Sequence, residues 1–157
     1  MRYVSALDVQ AFAAWRSSVY GNTYHLPTEQ QWEKAAGWNP QTQHQYTYGF
    51  QQDSIIDCNY SNYSSGCYKG PIPVGSFNGT GGKNDAKSYY GCYDMSGNVW
   101  EWTSSLWAND PCFHVIKGGF WAGSSNVETG CTTTLRHFDA LSSRVSYLGF
   151  RLVLDVN

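Results

Sequence analysis

Apolar positions recur with a helical period near the start of the chain and alternate with a period of two only toward its end. Val9, Phe12, Ala13 and Arg16 share one stripe of a helix predicted from about Ala6 to Tyr20. Ser5 is placed to cap it, Asp8 stands in its first turn and Gly21 follows it. A short extended piece is expected at Tyr24-His25-Leu26. Thr28-Glu29-Gln30-Gln31 has the form of a capping box, Trp32, Ala35 and Ala36 make the next apolar stripe, and Gly37 is placed to stop that helix. Strands are predicted at 98–103, 113–121, 131–137 and 148–154. Between Trp38 and Tyr90 the period fades, and only Ile72–Phe77 suggests an extended segment. So long an irregular stretch normally counts against a compact domain; its Tyr and Gly content implies that it packs down. With no internal repeat and no linker, the pattern reads as one α+β domain over 1–157.

The densest signal is Tyr93-Asp94-Met95-Ser96-Gly97-Asn98-Val99-Trp100-Glu101-Trp102-Thr103. Alternation sends Asn98, Trp100 and Trp102 to one face, Val99 and Glu101 to the other. Two Trp on one face predict a core strand, and a carboxylate on the other is placed to meet a cation. Composition sharpens this picture. Charged residues are 14%, aromatic residues 17%, and Gly numbers 16, so long amphipathic helices are excluded and a loop-rich fold held by aromatic clusters is expected. A net charge of -2 without a basic run argues against nucleic acid as a partner. No apolar run is long enough for membrane insertion, and Met1 leading directly into the first helix argues against a signal peptide. Cys58 and Cys67 bracket a polar loop and are candidates for a bridge. The odd count of five leaves at least one thiol over, so the compartment stays undecided.

Four segments agree in order and spacing with one family. Residues 24–36 read Y-H-L-P-T-E-Q-Q-W-E-K-A-A, 92–103 read C-Y-D-M-S-G-N-V-W-E-W-T, 115–121 read V-I-K-G-G-F-W, and 148–152 read L-G-F-R-L. Together they resemble the formylglycine-generating enzyme (sulfatase-modifying factor) family over nearly the whole chain. The resemblance implies an irregular C-type-lectin-like fold of two helices, short antiparallel strands and long packed loops. Oxidative members of that family use two copper-binding cysteines soon after the Gly-Gly motif. Gly123 and Glu128 stand at those positions here, so no copper and no enzyme activity are expected. Iron-dependent members use a separate His-rich domain, which this chain lacks; His25, His44, His114 and His137 are scattered. Cys131 reads as a packing residue.

Residues 120–147 contain no Lys, Gln or Met, one Glu and one Trp. The remaining residue types can all be written with codons ending in a pyrimidine, the set reached by randomising the adenines of an AAC codon. The segment lies between Ile116-Lys117-Gly118-Gly119 and Leu148-Gly149-Phe150-Arg151. This arrangement resembles the variable proteins of diversity-generating retroelements, with 115–151 as the variable region. It implies a non-catalytic display protein for another protein or a cell-surface ligand. The exposed binding positions would be Phe120, Ala122, Ser124, Asn126, His137, Phe138, Asp139, Ala140, Val145, Ser146 and Tyr147, with Trp121, Arg136, Arg144 and Arg151 as framework. The alternative is an inactive or divergent family member with a fixed ligand or scaffold role. The family resemblance also implies a structural calcium held by Asp94, Gly97, Val99 and Glu101, since turn carbonyls and carboxylates are hard oxygen ligands. The competing role for Glu101 is an ion pair with a basic residue such as Arg151.

Overall fold

Ser5 and Asp8 close the start of the first helix, α1 (Ala6–Tyr20), by a reciprocal box: the Ser5 hydroxyl accepts from the Asp8 N–H and the Asp8 carboxylate from the Ser5 N–H. Thr28 and Gln31 repeat the device at α2 (Glu29–Gly37). Both helices start and stop where the sequence places them, because their caps are local. A computed structural model describes residues 1–54, 56–122 and 130–155. Between the helices runs β1 (Thr23–His25), which pairs with β8 (Val153–Asp155). A small hairpin of β2 (Trp38–Asn39) and β3 (His44–Gln45) follows α2.

The central sheet is built from β4 (Trp100–Trp107), β5 (Asp110–Lys117), β6 (His137–Ala140) and β7 (Leu148–Gly149), in the order β6-β5-β4-β7. β4 and β5 form a hairpin whose two-residue turn, Ala108 and Asn109, has both residues at positive φ, 50° and 61°. That is the turn whose twist matches paired strands. The β4 alternation divides the molecule. Trp100 and Trp102 pack with Ile116, Leu148 and α1 residues Ala6 and Val9, while Glu101 points the other way, toward Trp32 of α2.

Three strand expectations are corrected. The strand expected at 131–137 begins only at His137, where β6 comes into register with Ile116. Residues before it pack elsewhere: Thr133 donates its N–H to the Thr47 carbonyl and its hydroxyl to that of Tyr46. The segment expected at 148–154 divides between two sheets. Ile72–Phe77 forms no strand; Asn98, itself at φ 68°, holds the Ile72 backbone through both ends of its side-chain amide. The irregular region between α2 and β4 does pack down. Tyr48, Phe50, Phe77, Ala86 and Cys131 make a second core, with Phe50 stacked on Tyr60 at 5.0 Å. Cys58 and Cys67 are bridged within this irregular region. Burial pushes the Cys131 thiol up to about 12, so it packs as an apolar group.

Trp102 is fully buried and His137 is exposed. Trp102→Ala should cost about 3–5 kcal/mol, whereas His137→Ser should change stability by less than about 0.5 kcal/mol. Urea unfolding of the two variants measures this difference.

Candidate functional site

The connection from β6 to β7 starts at one edge of the central sheet and ends at the other. Its backbone is fixed by its own carbonyls. Those of Leu141, Val145 and Tyr147 accept from the N–H groups of Ala6 at 3.0 Å, Tyr3 at 3.2 Å and Trp100 at 2.8 Å. The Leu141 N–H in turn donates to the Cys112 carbonyl. None of these bonds depends on which side chain the connecting segment carries.

Three arginines add charge-assisted anchors. The Arg136 guanidinium forks onto Glu29 at the start of α2, at 2.7 and 2.8 Å. Arg144 forks onto Asp8 of the α1 box at 2.7 and 2.8 Å. Arg151 forks onto Glu101 at 2.5 and 2.7 Å. Fork-to-carboxylate pairs fix direction as well as distance. The framework arginines thus fasten the C-terminal region to both helices and the core strand. Trp121 is half-buried, and its indole N–H has no partner among the described residues.

Beside this anchored connection lies a cavity of about 260 Å³. Trp100 and Ile116 form part of its lining, with Phe120, Tyr147 and the β6 residues His137, Phe138 and Asp139. Five of the predicted binding residues therefore converge on one concavity. An aromatic lane continues outward: Phe138 stacks on Trp107 at 4.7 Å, and the Arg136 guanidinium lies 5.0 Å from the Trp107 ring. The expectation that all display positions are exposed needs correction. His137 and Phe138 are exposed; Phe120, Ala122, Asp139, Ala140, Val145, Ser146 and Tyr147 are half-buried. Phe120, Val145 and Tyr147 pack against the core that holds Trp100, because the connection closes over that core. Ser124 and Asn126 lie outside the described residues, as do Gly123 and Glu128.

Asp94, Gly97, Val99 and Glu101 also come together, around a second cavity of about 370 Å³. Their arrangement is that of a guanidinium niche. Glu101 Oε2 accepts from Trp32 Nε1 at 2.7 Å and from Arg151 Nε, and Oε1 accepts from Arg151 Nη2. Arg151 Nη2 reaches on to the Tyr93 carbonyl at 3.1 Å. The Gly97 carbonyl accepts from the Val99 N–H. Asp94 Oδ2 accepts from the Gly75 N–H, and Oδ1 is buried with no partner among the described residues. Burial raises the Asp94 carboxyl above its usual range. Because Glu101 is committed to Arg151, the four residues as arranged do not fit a calcium ion. Among the described residues no group of three or more His, Cys, Asp or Glu is gathered for a metal.

The Glu101–Arg151 pair is the competing role the sequence offered for Glu101; sequence patterns missed the partners of Arg136 and Arg144 and the buried cation of the α2 face. Lys117, with a fully buried side chain, stands opposite Glu101 in the sheet and binds Glu33 at 2.6 Å. Burial lowers its pKa, and the Glu33 contact opposes that shift. The capping motifs were the available signal: Asp8 and Glu29 were visible as helix-start acids, but their use as arginine receptors depends on contacts more than 100 positions away.

Two helices, a short mixed sheet and long packed loops define an α+β domain of lectin-like type. The chain belongs to the sulfatase-modifying factor enzyme 1-like family, whose domain model matches residues 1–156. It is 28% identical to the hercynine oxygenase of Mycobacterium tuberculosis, over 99% of this chain and 37% of that protein. It is 35% identical to the inactive C-alpha-formylglycine-generating enzyme 2 of Bos taurus, over 95% of this chain and 48% of that protein. Among solved structures, Treponema denticola variable protein 1 superposes with a TM-score of 0.62 at 27% identity, covering 83% of this chain and 47% of that one. The chain thus spans less than half the length of these two curated relatives. Among the described residues no helix is long and apolar enough to cross a membrane.

The expectation that this chain is not an enzyme is overturned by these relatives. The hercynine oxygenase match covers nearly the whole chain, so the domain occurs in enzymes as well as in inactive proteins. Gly123 and Glu128 at the positions expected to hold the copper thiols therefore do not decide activity.

The Asp8 pair carries a pH signature. The hydrogen bond from Arg144, then those from Ser5, hold the Asp8 carboxyl well below the usual carboxylate range. A depressed folded-state pKa contributes stability above the unfolded value and loses it as pH falls through the folded one. Relative to Asp8→Asn, the native chain should keep a higher melting temperature above about pH 4 and lose that advantage at lower pH. A difference unchanged down to about pH 2 would contradict the pairing.

Proposed function

We propose that this domain is a ligand-display protein, whose binding face is the cavity of Phe120, His137, Phe138, Asp139 and Tyr147 together with its surroundings. Its ligand is another protein or a cell-surface molecule, and the 115–151 segment is diversified by a retroelement. One observation carries the reading: the β6–β7 connection is held by its backbone carbonyls and the Arg144 fork, leaving the side chains that do not pack on the core free to change. Stability then resides in the anchors and the Trp core, while the side chains between the anchors set what is bound. The exposed Phe138 supports this, since a large ring is presented where a plain loop needs none. Aromatic, hydroxyl and imidazole side chains on a fixed backbone give contact area with little ordering cost. The likeness to a Treponema variable protein points the same way.

The coding DNA tests the reading. We expect a near-repeat of the 115–151 coding region, differing from it only where the repeat has adenine, close to a reverse-transcriptase gene. A locus with neither would return the domain to a fixed ligand or scaffold role.

A further inference from the structure

We propose that the cavity beside β6 receives a cationic side chain, a lysine ammonium or arginine guanidinium, from a protein partner. The inference rests on the display reading above and names the chemistry of its ligand. At about 260 Å³ the cavity is smaller than sites for drug-sized molecules, which run from roughly 300 Å³ upward. It suits one side chain. Its lining is aromatic on several sides: Trp100 and His137 rings lie 5.6 Å apart, and Phe120 and Tyr147 5.2 Å apart. Ring faces attract cations, most strongly where water is excluded. The outer lane already shows the preference within this chain, since Arg136 lies against Trp107.

Charge decides between a cation and a neutral apolar group. Asp139 is the carboxylate in the lining. Three acids that meet the C-terminal region are matched: Asp8 by Arg144, Glu29 by Arg136 and Glu101 by Arg151. Asp139 forms no ion pair among the described residues. The Ala140 N–H and Ser143 hydroxyl both donate to its Oδ1, which fixes the carboxylate and leaves Oδ2 for an incoming donor. A negative charge held beside aromatic faces is complementary to an ammonium or guanidinium and unfavourable for an anion.

The test compares two probes of matched shape, Nα-acetyl-lysine methylamide and its uncharged norleucine analogue, followed by amide NMR of the intact chain. The lysine probe should shift the Phe138 and Asp139 amides saturably and bind at least about tenfold more tightly than the norleucine probe. Asp139→Asn, which keeps both acceptor contacts of Oδ1, should remove that preference, with its melting temperature recorded to establish folding. Equal or tighter binding of the norleucine probe overturns the cation assignment while leaving a ligand-binding face in place. No shift with either probe overturns the assignment too, whatever the coding DNA shows.

Discussion

Glu101 is a buried carboxylate in the middle of the central strand, and the rest of the structure is arranged around satisfying it. A buried charge persists only when it is paired and hydrogen-bonded, and removing one partner of such a pair costs about 3–5 kcal/mol. Here the Trp32 indole from α2 and the Arg151 guanidinium from the C-terminal region meet on the same two oxygens. One carboxylate therefore joins α2, β4 and the chain end. Its position also dictates β4: with Glu101 turned toward α2, Trp100 and Trp102 must face α1 and build the main core. Gly97 gives the approach to that strand its required turn. It has φ 81°, and a Cβ there would lie 2.5 Å from the Asn62 carbonyl oxygen.

The binding face inherits its backbone from this arrangement. Trp100 belongs to both the core and the cavity lining, and its N–H holds the Tyr147 carbonyl. Fixing Trp100 through β4 thus fixes the segment beside it. Anchors that use carbonyls and arginines are indifferent to most neighbouring side chains, which separates the task of folding from the task of recognition. The separation is not complete. Val145 and Tyr147 pack on the core as well as lying in the predicted display segment, so those positions accept a narrower range of side chains than His137 or Phe138.

The sequence made some of this legible and hid the rest for physical reasons. Both helices could be placed because Ser5, Asp8, Thr28 and Gln31 act within one turn of each other. The Trp-Glu-Trp alternation revealed its two faces. The edge strand β6 was misplaced because its register is set by β5, more than 20 residues earlier, and not by its own pattern. Ile72–Phe77 looked extended because it is pinned as a strand would be, by one Asn amide in place of a neighbouring strand. Nothing in the sequence marked Lys117 as buried, because its enclosure by Glu33 and Trp32 comes from contacts distant along the chain. The motif that announced the family carried the fold across nearly the whole chain, but a missing thiol pair said less about activity than it first suggested, because hercynine oxygenase shares the same domain.

The central claim is that the C-terminal connection is held by its backbone and Arg144, whatever side chains the display positions not packed on the core carry. Hydrogen exchange at the Ala6 and Trp100 amides, which donate to Leu141 and Tyr147, tests it most directly. The comparison is between the native chain and a variant in which His137, Phe138, Asp139 and Ser146 are all replaced by Ala. Protection of both amides should stay within about threefold of the native value. Loss of protection at either amide while the rest of the core stays protected would show that the side chains hold the segment, and would contradict the account.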